Sequence, residues 1–519
     1  MKKIAILVIV LSILSGCSSD FLKETNPNAL ASDTFWKTSG DVDKAFAGVF
    51  AQLNSVDFYN GNSSGQNAGV YRLDFITDNG YCGYDFINGA SLARGDHSPT
   101  EGLVNSFWTA CYKMIQRSND FLANVDRVNA VPIANRNTMK AEVRFLRALA
   151  YHHLAMCYRD APLITTPQTL ENAKVPKNTN KELVDFVISE LNAITSGNEL
   201  SVAVPQGRVS KGAALALLAR FYLYTNKFTE AAETAQKVIS LNTYNLSTPY
   251  SALFKVTGET SKDVIFSVQY AGPGLAAGVG AIFNGYFPAA PQVHTVALPN
   301  LADDYYCTDG LPITKSPLYN AQNKHLNRDS RFDATLVTTR SLFRGATILP
   351  ANLAPTNFRL RKWADETAAN STNAFDNGQD FYVLRYAEVL LTRAEALLES
   401  GNYTEQAIRD LVNQVRTRAA MPRIEVVEGK GTILTKQDLI EIVRHERRIE
   451  TAFEGLRFYD LKRWGILKER AVDNYMKVDK VQAPAIQTRI FTAPRNNVWP
   501  IPQREIDINS ALVQHTEWL

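Results

Sequence analysis

Histidine and cysteine are sparse in this sequence, and neither recurs at a metal-ligand spacing. Seven histidines are spread over 519 residues, and the nearest approach to a zinc-hydrolase helix, His445-Glu446-Arg447-Arg448-Ile449, lacks the second histidine of HExxH. His152 and His153 are adjacent, but neighbours on a helix point about 100° apart and do not easily share one metal. A core-facing or interhelical hydrogen-bonding role is expected for them. Apart from Cys17, only Cys82, Cys111, Cys157 and Cys307 remain, too few and too scattered for a disulfide framework or a zinc site. One or two bridges are compatible with an oxidising compartment, and the pairing is left open.

An excess of one charge is also missing. Setting aside Lys2 and Lys3 from the 55 basic side chains leaves 53 against 52 acidic ones, a balance that offers nothing to nucleic acid. Beyond the first residues no run approaches 18 uninterrupted apolar positions, so no membrane-spanning helix is expected. Catalytic signatures are absent too. There is no G-x-S-x-G and no Walker A motif, and the glycine-rich stretch Gly272 to Gly278 lacks the lysine and the strand-turn-helix context of a phosphate cradle. A surface glycoside hydrolase would need a carboxylate pair, and none is announced. The expectation is a binding protein, not an enzyme, with no cofactor.

The first residues carry the clearest positive signal. Lys2 and Lys3 precede an apolar run from Ile4 to Leu14, followed at once by Leu14-Ser15-Gly16-Cys17. Eleven helical residues rise only about 16 Å against a hydrocarbon core of roughly 30 Å, which is a secretory signal and not an anchor. The small residues before Cys17 complete a lipobox. Residues 1–16 are therefore read as a cleaved signal peptide, Cys17 as the lipidation site, and residues 17–30, polar and carrying Pro27, as a tether.

Thereafter, with 45% hydrophobic and 21% charged residues, the chain has the balance of a globular protein and not of a disordered one. Helical spacing predicts segments over Gly40 to Leu53, capped by Asp33 or Ser39, over Val104 to Val128, over Asn137 to Tyr158 and over Lys181 to Ile194. A loop-rich stretch runs from Val56 to Gly102. Lys211 to Tyr224, a short turn, and Thr229 to Leu241 resemble one tetratricopeptide unit, with Ala219, Tyr222, Ala231 and Ala235 at its small and aromatic positions. A second such unit spans Tyr386 to Ala419. Two units are fewer than a solenoid needs, so the helix pairs around 104–128 and 141–194 are expected to complete the stack. The fold class is mostly α: a tetratricopeptide-like helix-pair scaffold, residues 31–244 and 381–519, interrupted by a loop-rich inserted subdomain at 245–380 with short extended pieces such as Val264 to Tyr270.

Four segments then occur in order: Ala141 to Ile164, the pair Asp309-Gly310 and Arg328-Asp329-Ser330-Arg331-Phe332, Glu446 to Gly465, and Trp499 to Gln514. Together with the lipobox and a DFITDN element at Asp74 to Asn79, they span nearly the whole mature chain and resemble the SusD/RagB family of Bacteroidetes surface lipoproteins. Most of these signatures read as packing. Glu446, Arg447, Arg448, Glu450, Glu454 and Arg457 have spacings for ion pairs along and between helices, and Ile449, Phe453, Phe458, Leu461 and Trp464 supply an apolar face. Pro500 and Pro502 point to an extended strap from Trp499 to Ile508, with Trp518 and Leu519 pinning the tail.

The resemblance implies outer-membrane localisation through the lipid anchor, facing outward. It also implies a partner, a SusC-like TonB-dependent transporter over which such a protein closes as a lid. Capture of an oligosaccharide needs aromatic faces for the sugar ring and amides or carboxylates for its hydroxyls. The polar loops supply both kinds, in Asp78, Asn79, Tyr81 and Tyr84, in Asn284, Tyr286 and Phe287 of the insert, and in Trp363. A peptide-binding groove of RagB type would use the same aromatics. The acidic run from Asp303 to Gly310 has carboxylates enough to raise a structural calcium, but not the spacing of an EF-hand loop, so a solvated turn is expected there.

Overall fold

The computed structural model describes residues 35–60, 69–82, 86–271, 295–343, 346–349, 353, 356–363, 378–425, 434–474 and 487–519. Cys17 and the signal lie outside the described residues. The longer helices are α1 (Ser39–Phe50), α2 (Gly102–Asn124), α3 (Ile133–Cys157), α4 (Asn180–Ser196), α5 (Lys211–Tyr224), α6 (Phe228–Ser240), α7 (Tyr386–Ser400), α8 (Glu405–Arg418), α9 (Lys436–Thr451) and α10 (Arg457–Arg463). Among the described residues no helix is long and apolar enough to cross a membrane.

Local chemistry sets most helix starts. Thr38, not Ser39 or Asp33, caps α1: its hydroxyl accepts the Asp41 N–H at 3.2 Å while the Asp41 carboxylate accepts the Thr38 N–H at 2.9 Å. This reciprocal box satisfies two donors that a helix end leaves orphaned. Thr179 with Glu182 and Thr435 with Asp438 repeat it at α4 and α9.

Successive helices pack pairwise, α2 on α3, α3 on α4, α4 on α5 and α5 on α6. The next neighbour of α6 in the stack is α7, which in turn packs on α8 and α9. The two tetratricopeptide-like units are thus stacked directly, although about 145 residues separate them in the chain. Every residue of α5 after its first is buried, because helices cover it on both sides and a strand ribbon on a third. Small residues Ala213, Ala216 and Ala219 allow that close approach.

Among the described residues eight short strands form four antiparallel ribbons: β1 (Gly80–Cys82) with β3 (Thr295–Ala297), β2 (Val264–Val268) with β8 (Phe381–Arg385), β4 (Leu336–Thr338) with β7 (Phe358–Leu360), and β5 (Leu342–Phe343) with β6 (Ala346–Thr347). The β2–β8 ribbon closes the base of the excursion between the two units and packs against α5.

The adjacent histidines serve the core. His153 Nε2 meets the Tyr59 hydroxyl and its Nδ1 the Tyr459 hydroxyl, each at 2.8 Å, joining three distant parts of the chain. Burial lowers its pKa to about 3, so the ring stays neutral. Cys82, Cys111, Cys157 and Cys307 are all buried free thiols. At the C-terminus the expected extended strap differs in one respect: a short helix, Gln503–Ile508, starts directly after Pro502. Proline is harmless there because the first positions of a helix have no intrahelical use for an N–H. Trp518 does pin the tail, donating from Nε1 to the Val498 carbonyl at 2.9 Å, whereas Leu519 is 85% exposed.

Candidate ligand-binding site

The DFITDN element forms the turn that leads into β1, and it is moored to the C-terminal signature. The Asp74 carboxylate accepts N–H groups from Phe453 at 3.2 Å and Gly455 at 2.6 Å, and the Asn79 amide at 2.8 Å. Gly455 has φ +78°, and a Cβ there would stand 2.7 Å from the Val70 carbonyl oxygen, so the approach needs glycine. Asp78 accepts both prongs of Arg457, at 2.9 and 2.8 Å, and lies 3.0 Å from Arg448 Nη2. Burial alone would push this carboxyl up, but the two guanidiniums overcome that and hold it well below the usual carboxylate range. Arg448 Nε also donates to Asn79 Oδ1 at 3.0 Å. Arg489 closes the turn from the other side, donating to the Thr77 carbonyl at 2.7 Å and the Gly80 carbonyl at 2.9 Å.

From this mooring β1 runs antiparallel to β3, with Gly80 opposite Ala297, Tyr81 opposite Val296 and Cys82 opposite Thr295. Antiparallel pairing has a direct consequence. The chain leaves β1 after Cys82 at the same ribbon end where it enters β3 at Thr295. In chain order residues 83–85, with Tyr84, follow β1, and residues 272–294, with Asn284, Tyr286 and Phe287, precede β3. Those four candidates lie outside the described residues. The described chain resumes at Phe86, an exposed aromatic at 55%, which the sequence reading passed over. Its position in a polar, glycine-rich stretch was the available signal.

The other candidates are placed differently from what a solvated loop implies. Asp78 and Asn79 have 1% and 0% of their surface exposed, and their polar atoms are engaged as described. Tyr81 is 8% exposed. Trp363 is 0% exposed, stacked on Phe381 at 5.1 Å, set edge-on to Phe254 at 4.8 Å, and donates from Nε1 to the Phe453 carbonyl at 3.0 Å. A polar sequence neighbourhood concealed the aromatic pocket that receives it. As described, Asp78, Asn79 and Trp363 hold the platform together and have almost no surface left for a ligand.

Around the mooring lies a dense layer of charge. Arg385 bonds Asp263, Glu450 and Glu454, and Arg331 bonds Asp329, Glu446 and Glu450, all with side chains no more than 4% exposed. Both the Glu446 to Gly465 signature and the Arg328 to Phe332 signature are therefore ion-paired packing; for the first, residue spacing had pointed to ion pairs. In the acidic run, Asp304 pairs with Arg448 and Asp309 caps a turn by accepting the Leu311 N–H and the Ser316 hydroxyl. Among the described residues no group of three or more His, Cys, Asp or Glu side chains is arranged to hold a metal.

Two family models match the chain: SusD family over residues 262–518, and starch-binding associating with outer membrane over residues 20–223. SusD-like protein P2 of Formosa agariphila is 27% identical, over 99% of this chain and 99% of its own. The starch-binding protein SusD of Bacteroides thetaiotaomicron is 25% identical, over 77% of this chain and 76% of its own. Among solved structures, a SusD-like carbohydrate binding protein of Bacteroides fragilis superposes with a TM-score of 0.79 at 27% identity, covering 92% of this chain and 100% of that one. Between them the two models span most of the chain, the superposition gives the same fold, and the chain belongs to the SusD family.

Proposed function

We propose that this chain is a surface lipoprotein, anchored through Cys17, that captures glycan oligomers and delivers them to a SusC-like TonB-dependent outer-membrane transporter. The observation that carries this reading is the β1–β3 ribbon, fixed to the helical platform by buried ion pairs; in chain order Tyr84 follows β1 directly, and Asn284, Tyr286 and Phe287 precede β3. Rigid support beneath polar loops is what binding without bond cleavage requires, because the ordering cost is met on folding and not on binding. The relative named a starch-binding protein and the carbohydrate-binding neighbour support a glycan as the ligand.

The test is calorimetric titration of the mature chain with a panel of oligosaccharides and, separately, of peptides. Saturable heat from one glycan class and none from peptides is the expected result. Heat from peptides alone sinks the reading in favour of a peptide-binding lid. For the partner, co-purification of a TonB-dependent transporter with the lipidated chain from detergent-extracted outer membranes is expected, and its absence under native extraction removes the delivery step.

A further inference from the structure

Between α2, the chain that follows α3 and the short helix Gln503–Ile508 lies a cleft of about 340 Å³. None of its lining residues belongs to the β1–β3 ribbon or to the Asp78 mooring. The α2 wall is a single stripe, in which Thr109, Tyr112, Gln116 and Asp120 recur every three or four residues. The facing wall, Ile164 to Gln168, is stapled in place. Tyr151 donates from its hydroxyl to the Ile164 carbonyl at 2.9 Å, and Asn119 from Nδ2 to the Ile164 and Thr166 carbonyls at 2.9 and 3.3 Å. Arg147 Nη1 adds a bond to the Thr165 carbonyl at 3.2 Å. Walls fixed on folding need little further ordering when the cleft is filled.

Two carboxylates meet this cleft without a counter-charge. Asp120 and Glu505 line it half-buried, and neither side chain forms an ion pair among the described residues. Burial alone pushes the Asp120 carboxyl up, and it raises Glu505 with only Arg504 opposing it. A carboxylate drawn out of water without a donor costs stability, and residues that break a local rule in this way concentrate at functional sites. Gln116 and Thr166, both exposed, set an amide and a hydroxyl on opposite walls. Tyr112 supplies aromatic surface: it is half-buried, Trp108 backs its ring at 4.8 Å and 43°, and its hydroxyl is taken up by the Pro162 carbonyl at 2.7 Å. Carboxylate and amide acceptors beside a ring complement a pyranose, whose hydroxyls donate and whose C–H face is apolar. Two unpaired carboxylates against one amine, that of Lys113, disfavour an acidic sugar.

We propose that this cleft is a second saccharide site, taking a neutral pyranose unit whose hydroxyls donate to Asp120 and Glu505. The proposal rests on the glycan-binding reading above, and it gives one chain two grips on the same polymer. Calorimetry with the hexasaccharides of the malto, laminari, cello and manno series, with trigalacturonate and with calcium chloride alone tests it in the wild type, Asp120→Ala and Glu505→Gln. Affinity electrophoresis in the polymer of the hexasaccharide that binds reads retention. Neither carboxylate has an ion-pair partner to lose, so the unfolding midpoint of both variants should be unchanged or raised. The expected result is two neutral hexasaccharides per wild-type chain, one in either variant, and retention roughly tenfold weaker in the variants. One hexasaccharide per chain in wild type and variants alike overturns the second site and leaves the glycan reading standing. Trigalacturonate that fills the cleft as well as the neutral sugar, or calcium heat that vanishes in Asp120→Ala, overturns the neutral-sugar assignment. No heat from any saccharide removes the glycan reading and this site with it.

Discussion

Arg457 grips Asp78 with both prongs of its guanidinium, Nε to Oδ1 at 2.9 Å and Nη2 to Oδ2 at 2.8 Å, across 379 residues of chain. Arg448, nine residues before Arg457, adds a second guanidinium 3.0 Å from the same carboxylate. This pairing joins the turn that feeds the β1–β3 ribbon to the C-terminal signature, and it turns a residue with the sequence appearance of a ligand group into a structural anchor.

Replacing Asp78 by Ala therefore leaves two guanidiniums, 4% and 6% exposed, without their shared counter-charge. The expected loss is about 3–5 kcal/mol of unfolding free energy, the cost of breaking a buried pair from one side. Urea denaturation measures it. A variant as stable as the wild type, with ligand affinity reduced, would return Asp78 to the binding surface.

Glu450 makes stability depend on acid. Burial pushes its carboxyl up, but Arg418, Arg385 and Arg331 outweigh this and hold it at about 2. The unfolded value is roughly 4.3, so the unfolded chain takes up the proton first as pH falls. The contribution is complete above pH ~5 and is lost as pH drops toward 2, amounting to roughly 3 kcal/mol. Urea midpoints at pH 7, 4 and 3 should fall steeply. In Glu450→Gln the fall should be shallower from a lower starting point, and an unchanged slope contradicts the assignment.

Trp363→Ala should cost about 3–5 kcal/mol, since a fully buried indole and its bond to the Phe453 carbonyl are removed together. Thermal unfolding checks this. Wild-type stability in the variant would mean that the ring is not packed as described.

Tyr84→Ala, Tyr286→Ala and Phe287→Ala carry the opposite expectation. Each should weaken glycan capture by about tenfold, the worth of one stacked ring, without moving the unfolding midpoint. Affinity electrophoresis in a glycan gel reads the first quantity and differential scanning fluorimetry the second. If all three bind like the wild type, these rings are not part of the site.

Cys17→Ser should release the protein from the membrane fraction while leaving glycan binding of the soluble chain unchanged. Fractionation after ultracentrifugation decides it, and a variant that still sediments with the outer membrane excludes a thioether-linked lipid as the sole anchor.

Helices were legible wherever their stabilising pattern is local. Lys211 to Tyr224 was bounded correctly, and the helix expected over Asn137 to Tyr158 was found at Ile133–Cys157, because apolar periodicity acts within a few residues. The ion-pairing character of Glu446 to Arg457 was legible for the same reason. Partners were not: nothing in the residues near Arg385 names Asp263 or Glu454.

From residue types and their spacing alone came the export signal, the helix pairs with their small-residue contacts, the family resemblance and the charged signature. All of these depend on neighbours three, four or thirty positions away. Whether a loop residue meets solvent was decided only by the tertiary structure, because burial depends on which distant segment arrives to cover it. That is why Asp78 proved to be an anchor and Trp363 a core ring.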